Sequence, residues 1–500
     1  MTKRRNPALV LTDKILGKFN TGTLLSLKSF FMGKWYPILV AAIVFLGHTF
    51  GIEVYLLPVN MLLFALAMLV CDTVRPLIVV LCTFLYQVPL MNTPGGPVWS
   101  DHYATGVRPA FMLFSVVVIL LTLVYTVIKH CVFTELSFRR TPLIISMAIL
   151  GVAFIMGGAF SATWMPADIL WGVLQAVLFP VLFLLFYRGL RNEKDLSELG
   201  LYLAYVASVI GVLLALEMLD LYIFGNDFYG SVFNADGSVI KERIHLGWAT
   251  WNPVGVAIAV NIPMIFYGVI KGKAPWAYFI SACVTYVASL LTFSRNAMIF
   301  ATLAFGASVL ISCFFGEKRR KLVLRIIVGL GALGIIGIAV IVFDKIMVFA
   351  RDIFDRGLSD NGRFNVWKTA VDNFKSAPIF GSGYYHFNSP ELYNFSPAIP
   401  LMAHQTFLQL LSSMGVFGLV AYLVYRFDTA MIFFRRPTLL KTMLGASMLV
   451  LLLESLLDNF IFTIFPLFFY SIALAVAALI SESQREKTVV NESSLETEKE

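Results

Sequence analysis

Residues 109–129 read PAFMLFSVVVILLTLVYTVIK, apolar throughout and uncharged until the closing lysine. A helix that crosses the hydrocarbon core of a bilayer takes about 20 such residues. This run is apolar on every face instead of along one stripe, as a segment enclosed by lipid or core must be. It is also continuous where a strand of a transmembrane barrel would alternate, so a barrel is excluded. The rest of the chain repeats the pattern. Of its 500 residues 59% are hydrophobic and 14% charged, against about 45–50% and about 25% in a soluble domain. One soluble core stops growing near roughly 250–300 residues, which leaves such an excess nowhere to go. A soluble enzyme, a disordered chain and a disulfide-rich secreted module are all excluded.

Fourteen apolar blocks can be marked, near 35–50, 54–71, 76–91, 109–129, 142–160, 168–187, 200–224, 248–270, 275–292, 294–315, 322–343, 402–425, 440–457 and 460–480. Several fall short of a full span, so twelve spans with one re-entrant hairpin is the alternative. The expectation is an all-α polytopic membrane protein of about 14 (12–14) transmembrane helices with a long structured external loop. A basic arm (1–34) would precede helices 1–11 (35–343). The external segment (344–403) would lead into helices 12–14 (404–480) and an acidic tail (481–500). The arm carries seven Lys and Arg and no early apolar core, so it reads as cytoplasmic rather than as a cleavable signal.

The net charge of +8 suits a membrane protein as well as a nucleic-acid partner, because cytoplasmic loops collect Lys and Arg. With the N-terminus inside, the inner segments take 28 of the 38 Lys and Arg, including EKRRK at 317–321 and the pairs at 139–140 and 435–436. That bias puts both termini in the cytoplasm and makes nucleic acid an unneeded partner. Cys71, Cys82, Cys131, Cys283 and Cys313 lie in or beside apolar blocks without metal-ligand spacing, and read as buried small hydrophobes.

The external segment is far longer than an ordinary connection of about 4–6 residues. Within it NGRFNVWKTAVDNF (361–374) sets Phe364, Trp367, Val371 and Phe374 at helical spacing, giving an amphipathic helix over 361–376 with Asp360 or Asn361 as its cap. Pro378 stops that helix and GSGYY (381–385) turns the chain. The whole reads as a small cap over the outer face.

Polar groups in or near a bilayer are costly and are functional candidates by default. Three converge on the outer side: Arg295 in FSRNA, Arg363 at the head of the loop helix, and His404 in MAHQTFLQ. Guanidiniums hold phosphate oxygens bidentately and stay charged, and an imidazole can take a proton from an attacking hydroxyl. The set fits displacement of a diphosphate leaving group by a sugar hydroxyl. The blander readings stand beside it. A lone interfacial arginine snorkels to headgroups about as often as it does chemistry. Trp367, Tyr384 and Tyr385 suit cap packing or an aromatic belt. The six basic residues of the loop face six acidic ones, so it is no simple basic patch.

HQTFLQLLSSMGVFG at 404–418 resembles the signature of the bacterial O-antigen ligase and polymerase superfamily. His404, Gln405, Gly415 and Gly418 fill its pattern of His, then Asn, Ser or Gln, nine residues and Gly-x-x-Gly. RFNVWKTAVDNFKSAPIFGSG (363–383) is similar to the external segment of that family. SRNA (294–297) is similar to its Ser-Arg helix start, with Asn296 where glycine is commoner. WNPVGVAIAVNIP (251–263), with Asn252, resembles its Asn-rich span. The resemblance covers about residues 200–480. It implies a metal-independent, cofactor-free glycosyltransferase of the bacterial cytoplasmic (inner) membrane with its active site on the outer side. Its partners would be membrane lipid, an undecaprenyl-pyrophosphate-linked glycan donor and a saccharide or lipid-linked acceptor. His404 would be the base and Arg295 and Arg363 the pyrophosphate binders, with Trp367, Gln405 and Asn252 in support. Ligase and repeat-unit polymerase remain open between them. A transporter of lipid-linked oligosaccharide is the reading from another class, disfavoured because no internal repeat is found.

Overall fold

The computed structural model describes residues 7–18, 20–83, 106–132, 141–318 apart from four short breaks (163–165, 194, 226–229 and 247–248), a few positions between 321 and 329, 363–384, 403–457 and 464–497. These residues are helical almost throughout. The helices are α1 (Pro7–Leu16), α2 (Thr21–Met32), α3 (Trp35–Thr49), α4 (Glu53–Val70), α5 (Arg108–Val127), α6 (Ile144–Ala159), α7 (Pro166–Gly189) and α8 (Leu196–Phe224). They continue as α9 (Trp251–Ala259), α10 (Ile262–Lys271), α11 (Pro275–Leu291), α12 (Arg295–Phe314), α13 (Arg363–Ser376), α14 (Thr406–Phe434), α15 (Leu439–Glu454) and α16 (Ile464–Thr497). A two-residue antiparallel pair, β1 (His245–Leu246) with β2 (Ala249–Thr250), precedes α9.

The all-α membrane class stands, but the count of about 14 spans is overturned, and with it the alternative of twelve. Among the described residues eight segments are long and apolar enough to cross a membrane, or nine if α2 and α3, bent by 66° at their break, make one span. The apolar blocks at 142–160 and 275–292 form helices of 16 and 17 residues, and the block at 440–457 one of 16. Block 76–91 opens as a 3-10 turn, Arg75–Cys82, whose eight residues are all buried. Its remainder and most of block 322–343 lie outside the described residues. Composition alone overcounts because a short apolar segment can be core as readily as span.

Local chemistry sets the helix starts. Asp195 caps α8 by accepting from Ser197 N at 2.8 Å, and Thr438 caps α15 by accepting from Lys441 N at 3.2 Å. Pro58 and Pro180 sit inside α4 and α7, where neighbouring helices make such residues tolerable. The α9–α10 segment is the axis of the bundle, 94% enclosed, whereas the α5 span is 17% enclosed and faces outward. Four of the cysteines are buried and Cys283 is half-buried.

The two ends of the bundle differ. At one end the start of α8 meets the end of α10 and the start of α15, with Ser197 Oγ 3.4 Å from the Tyr267 hydroxyl and Gly200 against Leu440. The ends of α7 and α14 join the same end through α16: Tyr187 donates to Glu482 at 3.0 Å, and Arg436 Nη1 donates to the Gln484 carbonyl at 3.2 Å. At the opposite end the Tyr222 hydroxyl of α8 donates to the Leu291 carbonyl at 2.7 Å, four residues before Arg295. The starts of α9, α12 and α14 are therefore gathered there.

Candidate active site

α14 is not a continuous helix. Gly415 has φ 65° and ψ −162°, and the two helical bonds that would bracket it are taken over by the chain just after α13. Val416 N donates to the Pro378 carbonyl at 2.8 Å and Phe417 N to the Ile379 carbonyl at 3.3 Å. The carbonyls those amides would have used are filled in turn: Ser382 N donates to Ser412 O at 2.7 Å and Gly383 N to Ser413 O at 3.2 Å. These four backbone groups are thus paired, as a buried helix interruption requires. The fit admits no side chain at two positions. A Cβ on Gly415 would lie 2.3 Å from the Ile379 carbonyl oxygen, and one on Gly381 2.3 Å from the Ser413 backbone. Both have positive φ, where glycine carries no steric cost.

The loop is anchored beyond α14 as well. Tyr384 N donates to Asp168 Oδ1 at 2.6 Å, the Tyr384 hydroxyl donates to the Phe154 carbonyl at 2.8 Å, and Ala162 N donates to Gly381 O at 3.1 Å. Burial, with Asp168 beside it, holds the Tyr384 hydroxyl well above its usual pKa, so it stays a donor.

α13 docks on the start of α14. Its buried face is Val366, Ala370 and Asn373, while Trp367, Val371 and Phe374 lie half-buried at the flank and Phe364 is exposed. The aromatic positions picked out by sequence spacing are therefore beside the contact, and small residues make the close approach. Trp367 Nε1 donates to the Ala403 carbonyl at 3.0 Å, and Ala403 N donates to Gln409 Oε1 at 2.7 Å. The residue before His404 is thus held through both its amide and its carbonyl.

His404 is half-buried and has φ 50°, an uncommon conformation for a side-chain-bearing residue that surrounding contacts must hold. Gln405 caps α14 through its side-chain oxygen, which accepts from Leu408 N at 2.5 Å. Thr406 donates from both its amide (3.1 Å) and its hydroxyl (2.7 Å) to the carbonyl of Ser455. Arg363 is the first residue of α13. The structure thus brings the head of α13 and His404 to one place, joined by Trp367.

Arg295, exposed, is the first residue of α12. The turn before it is held by Asn252, whose Oδ1 accepts from Ser294 Oγ at 2.8 Å. α12 and α14 start at the same end, and both flank α15. Asn252 is accordingly a support for the Arg295 turn. Sequence reasoning missed Asp168, Gln409 and Ser455. An acid at the head of an apolar block was the signal for Asp168, and the second glutamine of HQTFLQ for Gln409. It also passed over Lys241, whose ammonium sits 4.8 Å from the centre of the Trp251 ring and brings a further cation beside Asn252. The proposed cap residues 344–362 and 385–402 lie outside the described residues.

No curated protein matches the chain. The family model described as O-antigen ligase matches residues 276–423, the stretch that holds Arg295, Arg363, Trp367, His404, Gln405 and both interlocked glycines. Over those residues, less than a third of its length, the chain is similar to the O-antigen ligase family.

Proposed function

We propose that this polytopic membrane protein is a glycosyltransferase that moves a glycan from undecaprenyl pyrophosphate to a saccharide or lipid-linked acceptor. The observation that carries the reading is the Trp367–Ala403 bond, which fastens the helix headed by Arg363 to the residue before His404. His404 takes the proton from the acceptor hydroxyl. The hydroxyl oxygen then bonds to the anomeric carbon as the bond from that carbon to the diphosphate breaks, and the electron pair leaves with the diphosphate. Arg295 and Arg363 bind the diphosphate and offset the charge that grows on it. Asn252, Trp367 and Gln405 hold these groups in place.

An orientation with the His404 end outside is supported by the opposite end of the bundle. Arg188, Arg191, Lys271, Arg435, Arg436 and Arg485 gather there, and basic ends face the cytoplasm. Chemistry at the His404 end is then on the outer face, where a glycan on a flipped carrier is presented.

The test is purified protein with a lipid-pyrophosphate glycan and candidate acceptors, read by product length. A single addition with release of the carrier pyrophosphate is the expected result for a ligase. A ladder of products would move the assignment to a polymerase, and no transfer to any acceptor would overturn the reading.

A further inference from the structure

At the basic end of the bundle a cavity of about 670 Å³ lies where the start of α6 and the ends of α7 and α14 meet the close of the α16 span. α14 contributes Phe427, Met431 and Ile432 to its lining and then, toward the helix end, Arg435 and Arg436, while Arg485 comes from α16. Phe427 is 66% exposed, so the cavity adjoins lipid. Two acids also line it. Glu482 accepts from the Tyr187 hydroxyl at 3.0 Å and pairs with Arg191 at 2.6 Å, which takes up its charge. Asp428 is then the one carboxylate set against three guanidiniums, and Arg435 and Arg485 form no ion pair among the described residues. The arginines are also held in place. Buried Lys441 donates from Nζ to the carbonyls of Arg435 and Arg436 and to Ser481 Oγ, the last at 3.1 Å. One ammonium thus fastens the turn after α14 to α16, the two elements that carry the arginines. Within that turn Arg436 has φ 49°. Glycine takes this conformation without steric cost, whereas a long side chain there is strained and marks a place where the side chain has a use.

We infer that this cavity binds the phosphate of an anionic phospholipid on the basic side of the bundle, the cytoplasmic leaflet in the proposed orientation. The inference goes beyond the proposed reaction and stands without it. Guanidiniums stay charged and hold phosphate oxygens two at a time, and a basic pocket between helices at a cytoplasmic end suits an anionic headgroup. With Asp428 set against them, the arginines still leave an excess of positive charge for the phosphate. The apolar wall selects a lipid over a free anion. A soluble phosphate compound would leave Phe427, Met431 and Ile432 facing water beside it, which is unfavourable, while the acyl chains of a lipid lie against them. α14 also orders the two parts as a phospholipid does, with Met431 and Ile432 deeper in the span and Arg435 and Arg436 at its end. Because Lys441 spends its donors on the turn itself, the arginines are set in position before the lipid arrives.

The test is native mass spectrometry of the full-length protein in detergent with phosphatidylglycerol, with phosphatidylcholine, and with glycerophosphoglycerol, the anionic headgroup without its chains. Wild type is expected to hold one phosphatidylglycerol that phosphatidylcholine does not displace. Arg435→Gln combined with Arg485→Gln weakens that binding about thirtyfold, the usual effect of removing two cations near a membrane surface. Both residues are exposed, so the double variant keeps its fold. Arg436→Gly weakens binding as well while relieving the turn, whereas an arginine with only a structural part would leave binding unchanged. Lys271→Gln combined with Lys273→Gln removes two charges from exposed positions that do not line the cavity, and leaves binding at the wild-type level. Equal loss in that control, equal binding of the two lipids, or no effect of the arginine variants overturns the inference. Tight binding of glycerophosphoglycerol also overturns it, since the occupant would then be a soluble anion. None of these measurements depends on glycan transfer.

Discussion

α5 and α14 look alike as strings of residues and behave differently as structure. Each is a long apolar helix that passes as a membrane span. α5 is 17% enclosed, and Leu113, Leu120 and Leu121 on it are more than half exposed. α14 is broken at Gly415, threaded by the loop after α13, tied to α15 by Thr406 and capped beside His404. α5 needs only to be apolar and helical. α14 needs particular residues at particular places, glycines above all, because other backbone segments approach it where a helix would normally pair with itself. Apolar length marks what sits in lipid, and the exceptions to it mark what is built.

That contrast can be broken at several depths. The largest effect belongs to His404→Ala, expected to lower transfer by about 10²–10⁴-fold while donor binding, measured directly, stays near wild type, because a base acts in the transition state. Near-normal transfer would remove His404 from the chemistry. Arg295→Lys and Arg363→Lys come next, each lowering kcat/KM by about 10²–10³-fold, since lysine keeps the charge and loses the two-pronged hydrogen bonding. Turnover retained by either lysine variant would leave that arginine a headgroup anchor.

Gly415→Ala tests the interlock itself. A Cβ 2.3 Å from a carbonyl oxygen at φ 65° is expected to cost about 2–4 kcal/mol, read as a lowered midpoint in detergent unfolding and as protease cutting near 378–383. Trp367→Phe keeps an aromatic side chain and deletes the donor to Ala403, for about 1–2 kcal/mol and a correspondingly modest fall in kcat. At the bottom of the scale, Leu120→Ala on the lipid face of α5 changes stability by no more than about 0.5 kcal/mol. A loss there comparable to that of Gly415→Ala would erase the distinction between the two helices.

The membrane class was legible because hydrophobicity is summed over long windows, and one lipid-facing run such as 109–129 suffices. The number of spans was not. Ile144–Ala159 and Leu439–Glu454 are as apolar as the true spans but stop at 16 residues, and stopping points depend on tertiary contacts that composition does not contain. The loop helix was legible because its apolar residues recur at helical spacing, and His404 stood out as a polar residue among apolar ones. The docked face of α13 was misjudged because spacing favours large apolar residues, whereas close helix approach selects small ones, here Ala370 with Val366 and Asn373. Asp168 escaped notice because its partner, the amide of Tyr384, lies 216 positions away in the chain.

The exchange of hydrogen bonds at Gly415 also bears on how the protein is made. While α14 is entering the bilayer, its amides at 416 and 417 and its carbonyls at 412 and 413 have no loop to meet and lie in a medium without water. Only an unbroken helix satisfies them at that stage. The segment is therefore expected to insert straight and to bend afterwards, when residues 378–383 displace two of its helical bonds. Biogenesis of this protein is then expected to have a late step that membrane insertion does not include. A chain lacking 378–383 is expected to reach the bilayer with its spans in place and to stop there, fully inserted and unfinished.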